Sequence, residues 1–274
     1  MQTGRVVTDQ DIETYDKDGI VCLRGVFDPH WIDLVARGID RNMAEPGPRG
    51  GSLTPKDEPG DYFKDANVWQ RIPEYVEYIN ESPAGQIVAS LMQSETARMF
   101  IETTFVKEPE TKEIAPWHQD QPYVCIDGDH CCSIWMPIDP VKKENGMAFV
   151  PGSHRWGTWY SPRNFFGANS ERKFKGTLWE PAPEIDENPD KYPVNSWDME
   201  PGDCVVFQML TLHASRPNHS ETTRRRAFST RWVGDDATYA VRDGMLSAPY
   251  PIEGYEPGEK FHTDQFPLAW PKGS

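Results

Sequence analysis

From residue 98 onward the chain breaks into short apolar runs, each rich in β-branched and aromatic residues and each closed by a cluster of turn formers. They read ARMFIETTFVKE, HQDQPYVCI, CCSIWMPI, GMAFVPGS, DCVVFQML, TLHAS and RAFSTRWV. Segments this short are strands, not long helices, and seven or eight of them at close spacing bury their apolar faces by folding into a sandwich or jelly roll. Asn145-Gly146 is the strongest hairpin signal in this stretch, since both residue types tolerate positive φ.

The preceding part, about 8–97, reads as mainly helical. Thr8 followed three residues later by Asp11 forms a capping signature ahead of a short amphipathic helix that ends near Gly19. Trp31, Ile32, Leu34, Val35 and Ile39 recur at helical spacing within 28–45, and a further helical region runs from Val68 to Met92, broken at Pro73 and Pro83. Residues 46–62 read as a surface loop. Gly50 and Gly51 make no phosphate loop, because no strand precedes them and no Gly-Lys-Ser/Thr follows. The expected plan is one domain over 1–274. Its β core covers about 98–234 and is interrupted by a polar insertion at 161–198, and an irregular extension covers 235–274. Long insertions of this kind are lids or disordered segments, so 161–198 and the 46–62 loop are lid candidates.

Charge narrows the partners. With 43 acidic against 28 basic residues the chain carries a formal charge of −15, and its Lys and Arg are scattered instead of forming a stripe. Such a field repels phosphate backbones and anionic lipid, so nucleic-acid and membrane-surface binding are not expected. Five cysteines, two of them adjacent and none in a CxxC pair, fit a reducing compartment, and the polar, acidic N-terminal stretch resembles no targeting peptide. The expectation is a cytoplasmic protein; nothing in the pattern bears on oligomeric state.

PWHQDQPY, residues 116–123, places His118 and Asp120 two positions apart. Seven histidines in a chain with 43 acidic residues out of 274 give about one such pair by chance, and there are three, so the bare motif carries little. Context separates them. In an extended strand, residues i and i+2 share a face, and His118 opens a β segment, whereas His219 with Glu221 lies in a polar turn and His262 with Asp264 in the irregular tail. His213, just past the apolar strand launched by Pro201-Gly202-Asp203, is the best third ligand. Two imidazoles and one carboxylate occupy one face of an octahedral ferrous ion and leave the other positions open. His130 beside Cys131 and Cys132 is a poorer cluster, since adjacent strand residues face opposite ways.

WHQDQPY, CSIWMPIDP, ENGMAFVPGSHRWG, PGDCVVF, LHAS and RRRAFSTRW, in that order and preceded by YDKDGIVCLRGVF, resemble the phytanoyl-CoA dioxygenase (PhyH) family of Fe(II)/2-oxoglutarate oxygenases over about 8–234. The resemblance implies a double-stranded β-helix, a cupin-like jelly roll with helices outside, and iron held by His118, Asp120 and His213. It also implies 2-oxoglutarate and O2 as cosubstrates, with ascorbate as reductant in vitro. The family's arginine that binds the distal carboxylate stands two residues before a small residue, which selects Arg225 over Arg224 and Arg226. Arg224 stays a rival, because the run holds one more residue after His213 than in many relatives. A planar guanidinium suits that carboxylate, pairing with both oxygens.

Thr103, Trp135 and Ser215 match the family's other 2-oxoglutarate contacts. Gln119, Gln121, Tyr123, Arg163, Arg216 and Arg231 are candidates to reach a small-molecule substrate. The glycine- and proline-rich NGMAFVPGSH string, with His154, reads as structural. The resemblance implies hydroxylation of a C–H bond, and the carboxylate of Asp120, which related halogenases replace with a small residue, agrees with it. Family members act on acyl-CoA esters, amino acids, ectoine, aminophosphonates and natural products, and the acidic charge points to a small polar substrate. Desaturation or demethylation, and a non-catalytic jelly-roll binder, are the competing readings.

Overall fold

The computed structural model describes residues 7–161, 179–242 and 252–272. Helix α1 (Asp9–Asp18) starts at a capping box: the Thr8 hydroxyl accepts from the Asp11 N–H at 3.2 Å, and the Asp11 carboxylate accepts from the Thr8 N–H at 2.9 Å. It stops at Gly19, φ 71°, where a Cβ would lie 2.3 Å from His154 Nδ1 and 2.6 Å from Thr211 Oγ1. Only glycine lets this turn seat against the segment that leads to His213. Strand β1 (Ile20–Leu23) and helix α2 (Pro29–Ala44), capped by Asp28, follow.

The expected loop over 46–62 is not wholly irregular. Strand β2 (Gly51–Ser52) pairs with β3 (Tyr62–Ala66), and neither shows the alternation that would mark a strand in sequence. Pro73 and Pro83 interrupt the next helical region because each sits at a helix start, Pro73 in the first turn of α3 (Pro73–Glu81) and Pro83 at the N-cap of α4 (Ala84–Met92).

The β region comprises β4 (Ala97–Lys107), β5 (Ala115–His118), β6 (Ile126–Asp127), β7 (Cys131–Pro137), β8 (Met147–Phe149), β9 (Cys204–Gln208), β10 (His213–Ser215), β11 (Arg225–Val233), β12 (Thr238–Tyr239) and β13 (Leu268–Trp270). A major antiparallel sheet runs β1-β9-β7-β11-β4-β3-β2, with β13 also on β4; a minor sheet runs β5-β10-β8. Together they make a jelly roll with helices outside.

Side-chain alternation divides the major sheet. On β7, Cys132, Ile134 and Met136 join the helices in one cluster, while Trp135 turns inward to meet Phe149 of the minor sheet, Val205, Phe207 and Ala227. On β11, Phe228 and Trp232 face the helices, so Arg225, Ala227, Ser229 and Arg231 face inward. The end of the described chain packs Phe261 and Phe266 against Phe100. Among the described residues no helix is long and apolar enough to cross a membrane.

The Asn145–Gly146 pair does not make the expected hairpin. Lys143–Asn145 wind into a 3₁₀ turn, Gly146 has φ −97°, and β7 and β8 pair with other strands instead of each other. Asn145 serves as a hydrogen-bonding post: its Oδ1 accepts from the His219 N–H at 3.0 Å, and its carbonyl accepts from Arg225.

Glu102, on the helix-facing side of β4, is fully buried; one oxygen accepts from the Val68 and Trp69 N–H groups at 2.6 and 3.1 Å. Burial pushes its pKa up from 4.5 to about 8. The folded protein therefore keeps a proton that the unfolded chain gives up, and folding stability should fall as pH rises from 4.5 to about 8. Glu102→Gln keeps the acceptor without the charge. It should flatten this slope and raise Tm more at pH 8 than at pH 5, measured by thermal unfolding across that range.

Candidate metal centre

His118 is the last residue of β5 and His213 the first of β10, and they stand directly opposite each other in the minor sheet. Their ring centroids are 4.1 Å apart. Each Nδ1 faces a backbone carbonyl, His118 that of Pro116 at 2.7 Å and His213 that of Thr211 at 2.9 Å. A carbonyl only accepts, so each Nδ1 carries the proton and each Nε2 presents its lone pair, the tautomer a metal ligand needs.

The third head arrives by a route the strand argument does not describe. The strand ends at His118, and Asp120 is in the right-handed helical region, φ −78° and ψ −40°, at the start of a 3₁₀ turn. The N–H groups of Asp120 and Gln121 both donate to the Met209 carbonyl, at 2.8 and 3.1 Å, which ties this turn to the end of β9. Bending, not alternation, turns Asp120 toward the histidines: its Oδ1 lies 3.8 Å from Nε2 of His118 and 3.8 Å from Nε2 of His213. Neighbouring ligands at bonds of about 2.1 Å stand roughly 3.0–3.4 Å apart, so each histidine must close on the carboxylate by about 0.4–0.8 Å to share one ion. Among the described residues this is the single group of three that could hold a metal, and all three are buried.

The Asp120 carboxylate is held from behind. Oδ2 accepts from Ser133 Oγ at 2.7 Å and from Arg231 Nε at 3.0 Å, Oδ1 accepts from Arg231 Nη2 at 2.9 Å, and Arg231 Nη1 donates to Thr103 Oγ1 at 3.2 Å. Burial alone would raise the carboxyl's pKa, but Arg231 and then the two histidines outweigh it and hold the group well below its ordinary range. Burial, followed by His213, pushes His118 down to about 3, and burial lowers His213 too. Two neutral imidazoles and one carboxylate are the protonation state in which these groups bind a divalent cation.

A second feature joins β10 and β11 across the two sheets. Of the three competing arginines, Arg224 pairs with Glu108 and Arg226 with Asp139, both away from the interior, while Arg225 is buried. Arg225 Nη2 donates to Ser215 Oγ at 3.1 Å, and Nη1 donates to the carbonyls of Asn145 and Arg216; its Nε has no partner. Burial lowers its pKa to about 10. A buried guanidinium with an unspent N–H fits a carboxylate ligand.

The remaining expected residues divide. Thr103 contacts Arg231, and Trp135 packs in the inner apolar cluster. Tyr123 stands edge-on to the His118 ring at 5.7 Å. Gln119 is not free for a substrate: its Nε2 donates to the carbonyls of Thr158 and Leu210, and its Oε1 accepts from the Tyr160 N–H. Gln121 spends its Nε2 on the carbonyls of Ile126 and Gly128. Arg231, expected to reach a substrate, instead grips Asp120, because the inward face of β11 places it behind that carboxylate. Arg163 and much of the 161–198 insertion lie outside the described residues.

Three participants escaped the motif reading. Ser133 and the new role of Arg231 depend on strands that meet only in space. Lys107 is fully buried opposite Arg225; a lysine ending the long strand run, directly after Phe105 and Val106, was the signal available.

A sequence model of the phytanoyl-CoA dioxygenase (PhyH) family matches residues 15–227. The 1-deoxypentalenic acid 11-beta-hydroxylase of Streptomyces arenae is 28% identical over 219 residues, which cover 75% of this chain and 73% of the hydroxylase. The crystal structure of SnoN, a non-heme alpha ketoglutarate dependent epimerase from nogalamycin biosynthesis, aligns with a TM-score of 0.73 at 18% identity, covering 95% of this chain and 98% of SnoN. SnoN in complex with Fe3+, alpha ketoglutarate and nogalamycin RO aligns with a TM-score of 0.72 at 16% identity over the same shares. At these identities the two structures speak for the fold.

Removing the clamp on Asp120 should loosen the centre without removing a ligand. Arg231→Met should weaken metal binding about 10–100-fold, the usual cost of losing an outer hydrogen-bond partner, as read by cobalt(II) absorbance titration. Ser133→Ala should cost less, since it removes one of three bonds to the carboxylate.

Proposed function

Because the chain belongs to the phytanoyl-CoA dioxygenase (PhyH) family, we propose that it uses Fe(II), 2-oxoglutarate and O2 to hydroxylate a C–H bond of a small polar molecule of the amino-acid, amine, aminophosphonate or natural-product type. The observation that carries this reading is the convergence of His118, Asp120 and His213 in the ligand-ready protonation state, with a buried, incompletely bonded Arg225 on the inward face of β11. Nitrogen and carboxylate donors without thiolate suit ferrous iron. Held there, iron would couple oxidative decarboxylation of 2-oxoglutarate to insertion of oxygen into the substrate.

The chain's own residues set the conditions for that chemistry. Backbone carbonyls of Pro116 and Thr211 hold the imidazoles in one tautomer, and Arg231 with Ser133 holds Asp120 anionic and aimed. Arg225 and Ser215 would take the distal carboxylate of 2-oxoglutarate, which sets the cosubstrate's direction in the pocket. Phe149, Phe207 and Trp135 line the interior around His213 and exclude water from the reacting groups. The acidic surface and the hydroxylase relative of Streptomyces support a small metabolite as substrate.

The test is succinate release with ferrous iron, ascorbate and 2-oxoglutarate across a panel of such molecules, with product mass showing the gain of one oxygen atom. His118→Ala, Asp120→Ala or His213→Ala should abolish turnover. Arg225→Met should chiefly raise the 2-oxoglutarate requirement, by about tenfold or more, since it removes a charge-assisted pair and leaves the metal ligands in place. No turnover with any candidate, together with no binding of iron or 2-oxoglutarate, would make the protein a jelly-roll binder.

A further inference from the structure

Lys107 stands directly across the β4–β11 ladder from Arg225 and is fully shielded from solvent. Its ammonium donates to the carbonyls of Glu113 at 2.7 Å and Arg216 at 2.8 Å and reaches the Ser215 hydroxyl at 3.4 Å. It also lies 4.6 Å from the centre of the Tyr62 ring. All hydrogen-bond partners of Lys107 and Arg225 among the described residues are carbonyls or a hydroxyl; no carboxylate bonds to either cation. The Glu113 carboxylate is close enough to favour the Lys107 charge but hydrogen-bonds to neither cation, so two buried positive charges share one unbonded carboxylate, and a bonded anion is what the pair lacks.

Ser215 is the point where the two meet. Its oxygen accepts from Arg225 at 3.1 Å and from Lys107 at 3.4 Å, which fills both lone pairs. The hydroxyl's own proton is then left to donate outward, beside the unspent Nε of Arg225. Burial and then Arg225 press Lys107 toward losing its proton, Glu113 offsets this only in part, and an anion bound in front of Ser215 would oppose the pressure further.

Resting on the cosubstrate reading above, we propose that Lys107 is a positioning residue of the 2-oxoglutarate pocket. It orients the Ser215 hydroxyl toward the distal carboxylate and adds the second positive charge that selects a dicarboxylate over a 2-oxo acid with an uncharged tail. It touches neither the metal nor the reacting carbonyl, so it acts on cosubstrate choice and not on the oxidation itself.

The experiment compares binding of 2-oxoglutarate and 2-oxovalerate to the anaerobic ferrous protein, read from the visible charge-transfer band that forms when a 2-oxo acid chelates iron. Lys107→Met should weaken 2-oxoglutarate about tenfold or more and leave 2-oxovalerate unchanged, so the preference ratio falls by the same factor. Cobalt(II) affinity should match the wild type. Lys107→Gln, which keeps N–H donors without the charge and is the fallback should the methionine variant fail to fold, should lose the same preference. If either folded variant weakens both acids equally or neither, Lys107 is only a tie between backbone segments and the proposal is overturned. A wild-type protein that gives no band with either acid would instead overturn the cosubstrate reading, and with it the proposal.

Discussion

The pairing of Arg231 with Asp120 is the interaction on which the centre depends. A carboxylate buried between two imidazoles would be driven to take up a proton unless a fixed positive charge and good hydrogen bonds offset its desolvation. Arg231 supplies both by gripping the two oxygens at 3.0 and 2.9 Å. Because Asp120 belongs to the turn after β5 and Arg231 to β11, the same pair also fastens the minor sheet to the major one. The chemistry thus rests on a contact that also helps close the barrel, alongside Arg225–Ser215 and the Trp135–Phe149 packing.

Strand alternation lets one sheet serve two purposes. The outward residues of β4, β7 and β11, such as Val106, Ile134 and Phe228, pack under the helices as ordinary core. The inward residues of the same strands include Lys107, Ser133, Arg225 and Arg231 beside apolar ones such as Trp135 and Ala227, an unusual density of polar and charged groups for a sheet interior. Helix packing on one face supplies the stability that allows the other face to hold groups that cost free energy to bury. An overall charge of −15 is compatible with this arrangement, since the cations that matter are gathered inside and the excess acid is spread elsewhere.

The hydrogen bonds of Gln119 show how closely the centre is tied to its surroundings. It lies between two of the convergent residues, yet its amide bonds the 158–160 segment and the Leu210 carbonyl. The backbone around the centre is thereby held from several directions. Any substrate must be recognised by other groups.

Much of this was legible in the order of residues. Periodicity and turn formers located nearly all the long strands and the N-terminal helices, because apolar spacing reflects which faces must leave water. Residue chemistry picked out His118, Asp120 and His213 as the heads to bring together, and the structure does place them around one point. Other features were decided only by tertiary contact. Asp120 reaches its place through a bend that the Met209 carbonyl holds, Asn145–Gly146 yields its turn preference to packing, and Lys107, Ser133 and Arg231 find their partners on strands far away in the chain. Local sequence encodes which residues a segment wants to bury and how it twists; which charge meets which across a barrel is set by register between strands, and register exists only once the sheets have formed.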